Sequence, residues 1–137
     1  MIEVCCAIIL KGSEILAVQR GPNSSHSWKW EFPGGKVNAD ETAEQCIVRE
    51  IEEELTISIH VVKRLLSVEF EYDQTRHICL TPFVCTILLG EINMTEHVSQ
   101  RWLAMDEWES LDWLSADKEL ILRNQEELKL LVSVNRR

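Results

Sequence analysis

The sequence is short of basic residues, of long apolar runs and of paired cysteine motifs, and each shortage closes off a class of protein. Lys and Arg total 14 against 23 Asp and Glu, a formal charge of −9. Duplex nucleic acid and anionic membrane both need a basic surface, so neither a nucleic acid polymer nor a membrane is expected as a partner. The apolar runs Val4 to Leu10 and Ile78 to Leu89 fall short of the ~20 residues that span a bilayer, and Thr81, Pro82 and Thr86 interrupt the second. The chain opens Met-Ile-Glu with no basic n-region, which predicts no signal peptide and a cytoplasmic protein. Cysteine stands at positions 5, 6, 46, 79 and 85 but never as C-x-x-C. Buried free thiols in a reducing compartment are therefore expected, rather than zinc sites or disulfides. The histidines 26, 60, 77 and 97 form no H-x-E or H-E-x-x-H pattern and read as structural or surface residues. Walker A and EF-hand patterns are absent as well.

No repeat, low-complexity stretch or linker divides the 137 residues, so a single domain over 1–137 is expected. With 45% apolar and 27% charged residues, its composition is that of a globular protein able to bury a substantial core. Ile2 to Leu10 and Glu14 to Gln19 read as strands around a Lys11-Gly12-Ser13 turn, the first apolar enough to be buried on both faces. Arg20 to Lys29 reads as a loop, and Trp30 to Val37 as a short strand kinked at Pro33-Gly34-Gly35. Thr42 and Gln45 have capping-box spacing, and Ala43, Ile47, Ile51 and Leu55 supply the packing stripe of the helix that follows. Ile57 to Tyr72 and His77 to Leu89 read as two long strands about an Asp73-Gln74-Thr75 turn. Val98 to Met105 reads as another strand, and Lys118 to Val132 as one amphipathic helix. Helices far apart in sequence flanking these strands predict an α+β fold, a three-layer αβα sandwich with a mixed sheet.

What is abundant is acid, and it is concentrated in Arg49-Glu50-Ile51-Glu52-Glu53-Glu54-Leu55. Glu50, Glu53 and Glu54 fall within a roughly 100° arc of one helical face, while Glu52 points elsewhere. The Glu50/Glu54 pair costs about 0.2–0.5 kcal/mol, and the nearby helix end disfavours negative charge further. Nothing local repays this, so a positive charge from outside the segment is expected. Taken alone, the run describes a solvated helix face. Three carboxylates on one face are also hard oxygen ligands of the kind that suits Mg²⁺ or Mn²⁺. The Phe32-Pro33-Gly34-Gly35-Lys36 kink just upstream offers exposed backbone and a lysine for a phosphate.

Spacing selects the second description. Gly35, five residues, Glu41, seven residues, then Arg49-Glu50-Ile51-Glu52-Glu53-Glu54-Leu55-Thr56-Ile57 resembles the Nudix box at every charged position. Only Thr56 departs, standing where the family has a glycine; a β-branched residue there predicts strain, or a different end to the helix. The segments IEVCCAIILKGSEILAVQR, WKWEFPGGKV and RHICLTPFVC resemble the MutT-like branch, and particularly its CTP pyrophosphohydrolase members.

That resemblance implies a Nudix-type fold and hydrolysis of a nucleoside triphosphate to the monophosphate and pyrophosphate, by attack of water at the β-phosphorus with Mg²⁺ or Mn²⁺ as cofactor. It implies metal ligands at Glu50, Glu53, Glu54, Glu96 and the Gly34 carbonyl, with Glu50 or Glu53 handling the attacking water. Arg49 would orient the box glutamates with Glu41 in support. Arg20, Lys36, Phe32 and Asp117 would bind substrate, Asp117 at the position where MutT-like proteins read the base. An ionised carboxylate only accepts hydrogen bonds, which suits the N4 amine of cytosine and favours (d)CTP or a modified cytidine nucleotide. A MutT-type 8-oxo-dGTP diphosphatase, serving nucleotide-pool sanitation, is the alternative, and a non-catalytic nucleotide sensor is a third. The intact acids speak against the sensor. A monomer or homodimer is expected.

Overall fold

The computed structural model describes residues 1–135. The first strand, β1 (Ile2–Lys11), explains its own unbroken apolar run. Cys5, Ala7 and Ile9 point into one core, and Cys6, Ile8 and Leu10 into another on the opposite side. Strand geometry alternates side chains between faces, so a strand with cores on both sides must be apolar throughout. The strand β2 (Glu14–Gln19) follows the same rule, with Leu16 and Val18 on one side and Ile15 and Ala17 on the other.

The region read as one kinked strand is two short ones, β3 (Trp30–Glu31) and β4 (Gly34–Lys36). β3 pairs β2, whereas β4 crosses to pair β1 antiparallel, with Cys6 opposite Gly34 and Cys5 opposite Gly35. The region from 57 to 72 is likewise divided, into β5 (Ser58–Arg64) and β6 (Val68–Asp73). Both pair β7 (Arg76–Leu89), and the break falls opposite Thr81 and Pro82. Proline has no N–H to donate, so the partner strand loses a ladder bond there and leaves the sheet. The Asp73 turn forms as expected, with Oδ1 accepting from Thr75 N, Thr75 Oγ1 and Arg76 N. β8 (Ser99–Ala104) pairs β2. The sheet is mixed because β1 and β7 run parallel while its other pairs are antiparallel.

One helix, α1 (Ala43–Leu55), packs Cys46, Ile47, Ile51 and Leu55 on one face of the sheet. Burying each large aliphatic side chain contributes about 1.5–3 kcal/mol. Its capping box is formed: Thr42 Oγ1 accepts from Gln45 N and the Gln45 side chain accepts from Thr42 N. The opposite face carries α2 (Ser115–Arg123) and α3 (Gln125–Asn135). The single helix expected over 118–132 is therefore interrupted. Asn124 ends α2 at φ −107° and ψ 12°, and its buried amide is diverted to Leu66, donating to the carbonyl and accepting from the amide. The result is the expected three-layer αβα arrangement. All five cysteines are free thiols, with Cys5 and Cys46 Sγ 2.7 Å apart between β1 and α1. No helix among the described residues is long and apolar enough to cross a membrane.

Candidate active site

The acidic face of α1 is organised by Arg49. Its Nη2 donates to Glu41 Oε1 at 2.6 Å and its Nε to Glu41 Oε2 at 3.0 Å. Its Nη1 reaches Glu50 Oε1 at 2.9 Å and Glu53 Oε2 at 3.2 Å. Part of the compensating positive charge thus lies inside the segment itself, but it reaches Glu41, Glu50 and Glu53 and not Glu54. Arg49 gathers three carboxylates, and its fork, supported by the Asn38 amide, holds the Glu41 carboxyl down to about 2. The helix ends on Thr56 in the left-handed region, φ 60° and ψ 29°, with its hydroxyl on the Leu55 carbonyl at 2.6 Å. Threonine adopts the backbone the family's glycine would adopt, so the strain expected from the sequence is present.

The two glycines of the kink are required for different reasons. A Cβ on Gly34 would lie 2.0 Å from the Cys5 carbonyl oxygen, so close pairing of β4 with β1 demands glycine there. A Cβ on Gly35 would lie 2.4 Å from Glu50 Cδ, so that glycine makes room for the carboxylate.

A cleft of about 340 Å³ opens beside the kink. It gathers Arg20, Phe32, Gly34, Lys36, Glu54, Glu96 and Asp117, all residues singled out from the sequence. Glu50 lies just behind the Gly35 wall. Glu41, Arg49 and Glu53 do not line the cleft; Glu53, 60% exposed at its side chain, faces the solvent flank of α1 with Arg49. The three box acids therefore divide, with Glu54 in the cleft, Glu50 beneath the loop and Glu53 outside. Among the described residues no three His, Cys, Asp or Glu side chains sit together closely enough to hold a metal ion.

Glu54 and Asp117 are the electrostatic outliers. Glu54 is buried, its Oε2 has no hydrogen-bond partner, and desolvation with repulsion from Glu96, Glu50 and Glu31 pushes its carboxyl up to about 9. A buried carboxylate with one oxygen unpartnered, beside other acids, fits a divalent cation in charge and in oxygen chemistry. Asp117 is buried, and Oδ2 accepts from Phe32 N at 2.9 Å. Desolvation, then repulsion from Glu31, holds its carboxyl well above the ordinary range. The Phe32 ring is 2% exposed and packs on Trp113 at 5.0 Å, so it supports the cleft wall from the core.

Sequence reasoning missed Glu31 and His97. Both line the cleft, and Glu31 Oε2 lies 2.9 Å from His97 Nε2 and 3.1 Å from Arg20 Nη1. No spacing rule flags them, because Glu31, His97 and Arg20 come from three separate segments. His26 and Tyr72, whose rings meet at 5.0 Å, add an aromatic wall.

Comparison with known proteins agrees with this architecture. The family model described as NUDIX domain matches residues 1–127. The chain is 37% identical over 107 residues to the CTP pyrophosphohydrolase of Escherichia coli K12, covering 78% of each protein. It is 37% identical over 82 residues to the 8-oxo-dGTP diphosphatase of Proteus vulgaris, covering 60% of this chain and 72% of that protein. The solution structure of the E. coli ORF135 protein superposes with a TM-score of 0.80 at 33% identity, over 92% of this chain and 89% of that one. The chain belongs to the Nudix family, in its MutT-like branch. It is a hydrolase acting on phosphoric anhydride bonds.

Proposed function

We propose that this chain is a divalent-metal-dependent nucleoside triphosphate pyrophosphohydrolase that takes (d)CTP or a modified cytidine nucleotide to the monophosphate and pyrophosphate. The observation that carries the reading is Glu54: a buried carboxylate with one oxygen unpartnered, in a cleft that Asp117 also lines. The arrangement suits a ligand with a phosphate chain at one end and a base at the other.

Glu50, Glu53, Glu54, Glu96 and the Gly34 carbonyl would hold Mg²⁺, with Mn²⁺ as a substitute, once Glu53 leaves Arg49 on the solvent flank of α1 and the acids draw together. Bound there, the ion supplies charge neutralisation for the phosphates and lowers the cost of activating water. Glu54 must lose its proton to serve, so its raised carboxyl couples metal affinity to pH. Arg20, through its remaining Nη2 N–H, and Lys36, as a point charge, take phosphate oxygens. Arg49 contacts no substrate; it sets the rotamers of Glu50 and Glu53. Water attacks the β-phosphorus, the α–β anhydride bond breaks, the nucleoside monophosphate leaves, and a box carboxylate, Glu50 or Glu53, accepts the proton.

Asp117 favours a second substrate reading as strongly as the first. Burial and Glu31 favour its neutral form, which carries one donor and retains acceptor capacity, much as an asparagine would. A neutral carboxyl pairs with cytosine N4 and N3, and equally with the oxopurine edge of 8-oxo-dGTP. The charge argument made from sequence for cytosine therefore loses force, and 8-oxo-dGTP stands as the alternative, as the names of the two relatives also suggest.

A nucleotide panel assayed with Mg²⁺, reading pyrophosphate against orthophosphate, tests both. Pyrophosphate from dCTP at a higher kcat/KM than from 8-oxo-dGTP supports the first reading, and the reverse order the second. Orthophosphate as the main product would remove the β-phosphorus assignment.

A further inference from the structure

His97 was expected to be structural or superficial; the structure instead seals it against the cleft. Its side chain is 7% exposed, Nδ1 is buried without a partner, and Nε2 makes its one bond, to Glu31 Oε2 at 2.9 Å. Glu31 is itself 17% exposed and accepts on both oxygens from Arg20 Nη1, at 3.2 and 3.1 Å. Arg20 continues the chain into the loop: Nε donates to the Ser25 carbonyl at 2.8 Å and Nη2 to Ser25 Oγ at 3.2 Å. Nη2 keeps one N–H beyond that bond.

The loop so held is not relaxed. His26 and Trp28 lie at φ 55° and 69°, in the left-handed region that residues with a Cβ resist. Such conformations persist only where surrounding contacts over-determine them. The contacts that do so are Trp28 N to the Arg20 carbonyl, Arg20 N to the Lys29 carbonyl, and the guanidinium on Ser25. Held this way, the loop sets the His26 ring against Tyr72 along the cleft.

We infer that His97 is a positioning residue for the nucleotide: by fixing the Glu31 carboxylate it fixes the Arg20 guanidinium, and with it the 21–29 loop that walls the cleft. The inference rests on the pyrophosphohydrolase reading above. Arg20 reaches a phosphate only through the N–H left over after Glu31 and Ser25 are satisfied, so its aim is set by His97. A half-buried charge-assisted chain of this kind weakens from either end when one partner is removed.

The test uses three variants of the full chain. His97→Phe keeps an aromatic ring, slightly larger, and removes the bond; His97→Gln keeps an N–H directed at Glu31; Glu31→Gln weakens the chain at its centre and stands in should the phenylalanine variant fail to fold. Steady-state kinetics on the best nucleotide of the panel should show KM raised about tenfold in His97→Phe with kcat little changed, and KM restored in His97→Gln. The Mg²⁺ concentration for half-maximal rate should stay at the parent value, which separates this role from displacement of the neighbouring Glu96. Independently of turnover, NMR of the metal-free protein should show the Arg20 Nε–H exchanging about ten times faster in His97→Phe and Glu31→Gln than in the parent and His97→Gln. Parent-like KM together with parent-like Arg20 exchange in His97→Phe would overturn the inference. A parent that cleaves no nucleotide would overturn the enzymatic reading instead, and Arg20 exchange would still decide the positioning role.

Discussion

Replacing Gly35 with alanine separates chemistry from folding more sharply than any other single change. The added Cβ would sit 2.4 Å from Glu50 Cδ and 2.6 Å from each of its oxygens, where ordinary contact begins at 3.4 Å. The carboxylate must therefore retreat by about 1 Å, and a displacement of that size at a reacting centre costs on the order of 100-fold in rate. Glu50 has little freedom to absorb it, because Arg49 Nη1 holds Oε1 at 2.9 Å and the side chain is only 16% exposed. The backbone is not the obstacle: Gly35 is not among the glycines of positive φ. The alanine even reduces unfolded-state freedom by ~0.4–1 kcal/mol, which offsets part of the overpacking. Gly35→Ala should thus lower kcat/KM for pyrophosphate release about 100-fold while its melting temperature stays within a few degrees of the parent's. Gly34→Ala is the control. Its Cβ would meet the Cys5 oxygen at 2.0 Å and Cys6 Cα at 2.7 Å, both backbone, so β1 and β4 must part. Overpacking against atoms that cannot rotate away costs about 3 kcal/mol or more. A folded Gly35→Ala protein with kcat/KM within about threefold of the parent would refute the placement of Glu50 at the chemistry.

Three further outcomes are expected. Glu54→Gln should stabilise the metal-free protein progressively as pH rises. The carboxyl sits at about 9 folded against 4.5 unfolded, so the burial penalty is absent below about 4.5, grows through that window and reaches ~3 kcal/mol at pH 7; a urea-melt difference that is flat from pH 5 to 8 would contradict it. Asn124→Ala removes the amide's bonds to the Leu66 backbone, at 2.9 Å each, and to the Leu120 carbonyl at 3.0 Å. It should cost ~3 kcal/mol in urea melts and leave KM unchanged, and a loss under about 1 kcal/mol would show that the bonds do not hold the β5–β6 break. Thr56→Gly relieves a left-handed threonine, against greater unfolded-state freedom of ~0.4–1 kcal/mol and the loss of its hydroxyl contacts with Leu55 and Glu91, for a small net gain, under ~1 kcal/mol, by thermal melt. A loss of stability would show that the hydroxyl contacts outweigh the strain.

Much of the molecule was legible in one dimension because the physics involved is local. Apolar runs, β-propensity and turn chemistry located β1, β2, β8 and the Asp73 turn, and the capping box located the start of α1. The breaks were not legible. The division of 57–72 depends on Pro82, which comes later in the chain and faces that strand only once the sheet has formed. The division of the C-terminal helix depends on an asparagine whose partner, Leu66, lies 58 residues away.

The sequence by itself determined the box: the spacing from Gly35 through Glu41 to Arg49 and the glutamates is a property of one short segment, and so is the family it implies. It also determined that Glu52 stands apart, since helical geometry decides that alone. Tertiary structure decided what each acid experiences. Glu50, Glu53 and Glu54 look alike along the chain, yet folding buries Glu54 among other acids, tucks Glu50 under Gly35 and leaves Glu53 in solvent beside Arg49. It raised the Asp117 carboxyl by burying it near Glu31, and it joined Arg20, Glu31 and His97 from three segments into one chain of hydrogen bonds. The physical reason is that desolvation and charge–charge repulsion depend on distance through space, which sequence separation does not encode.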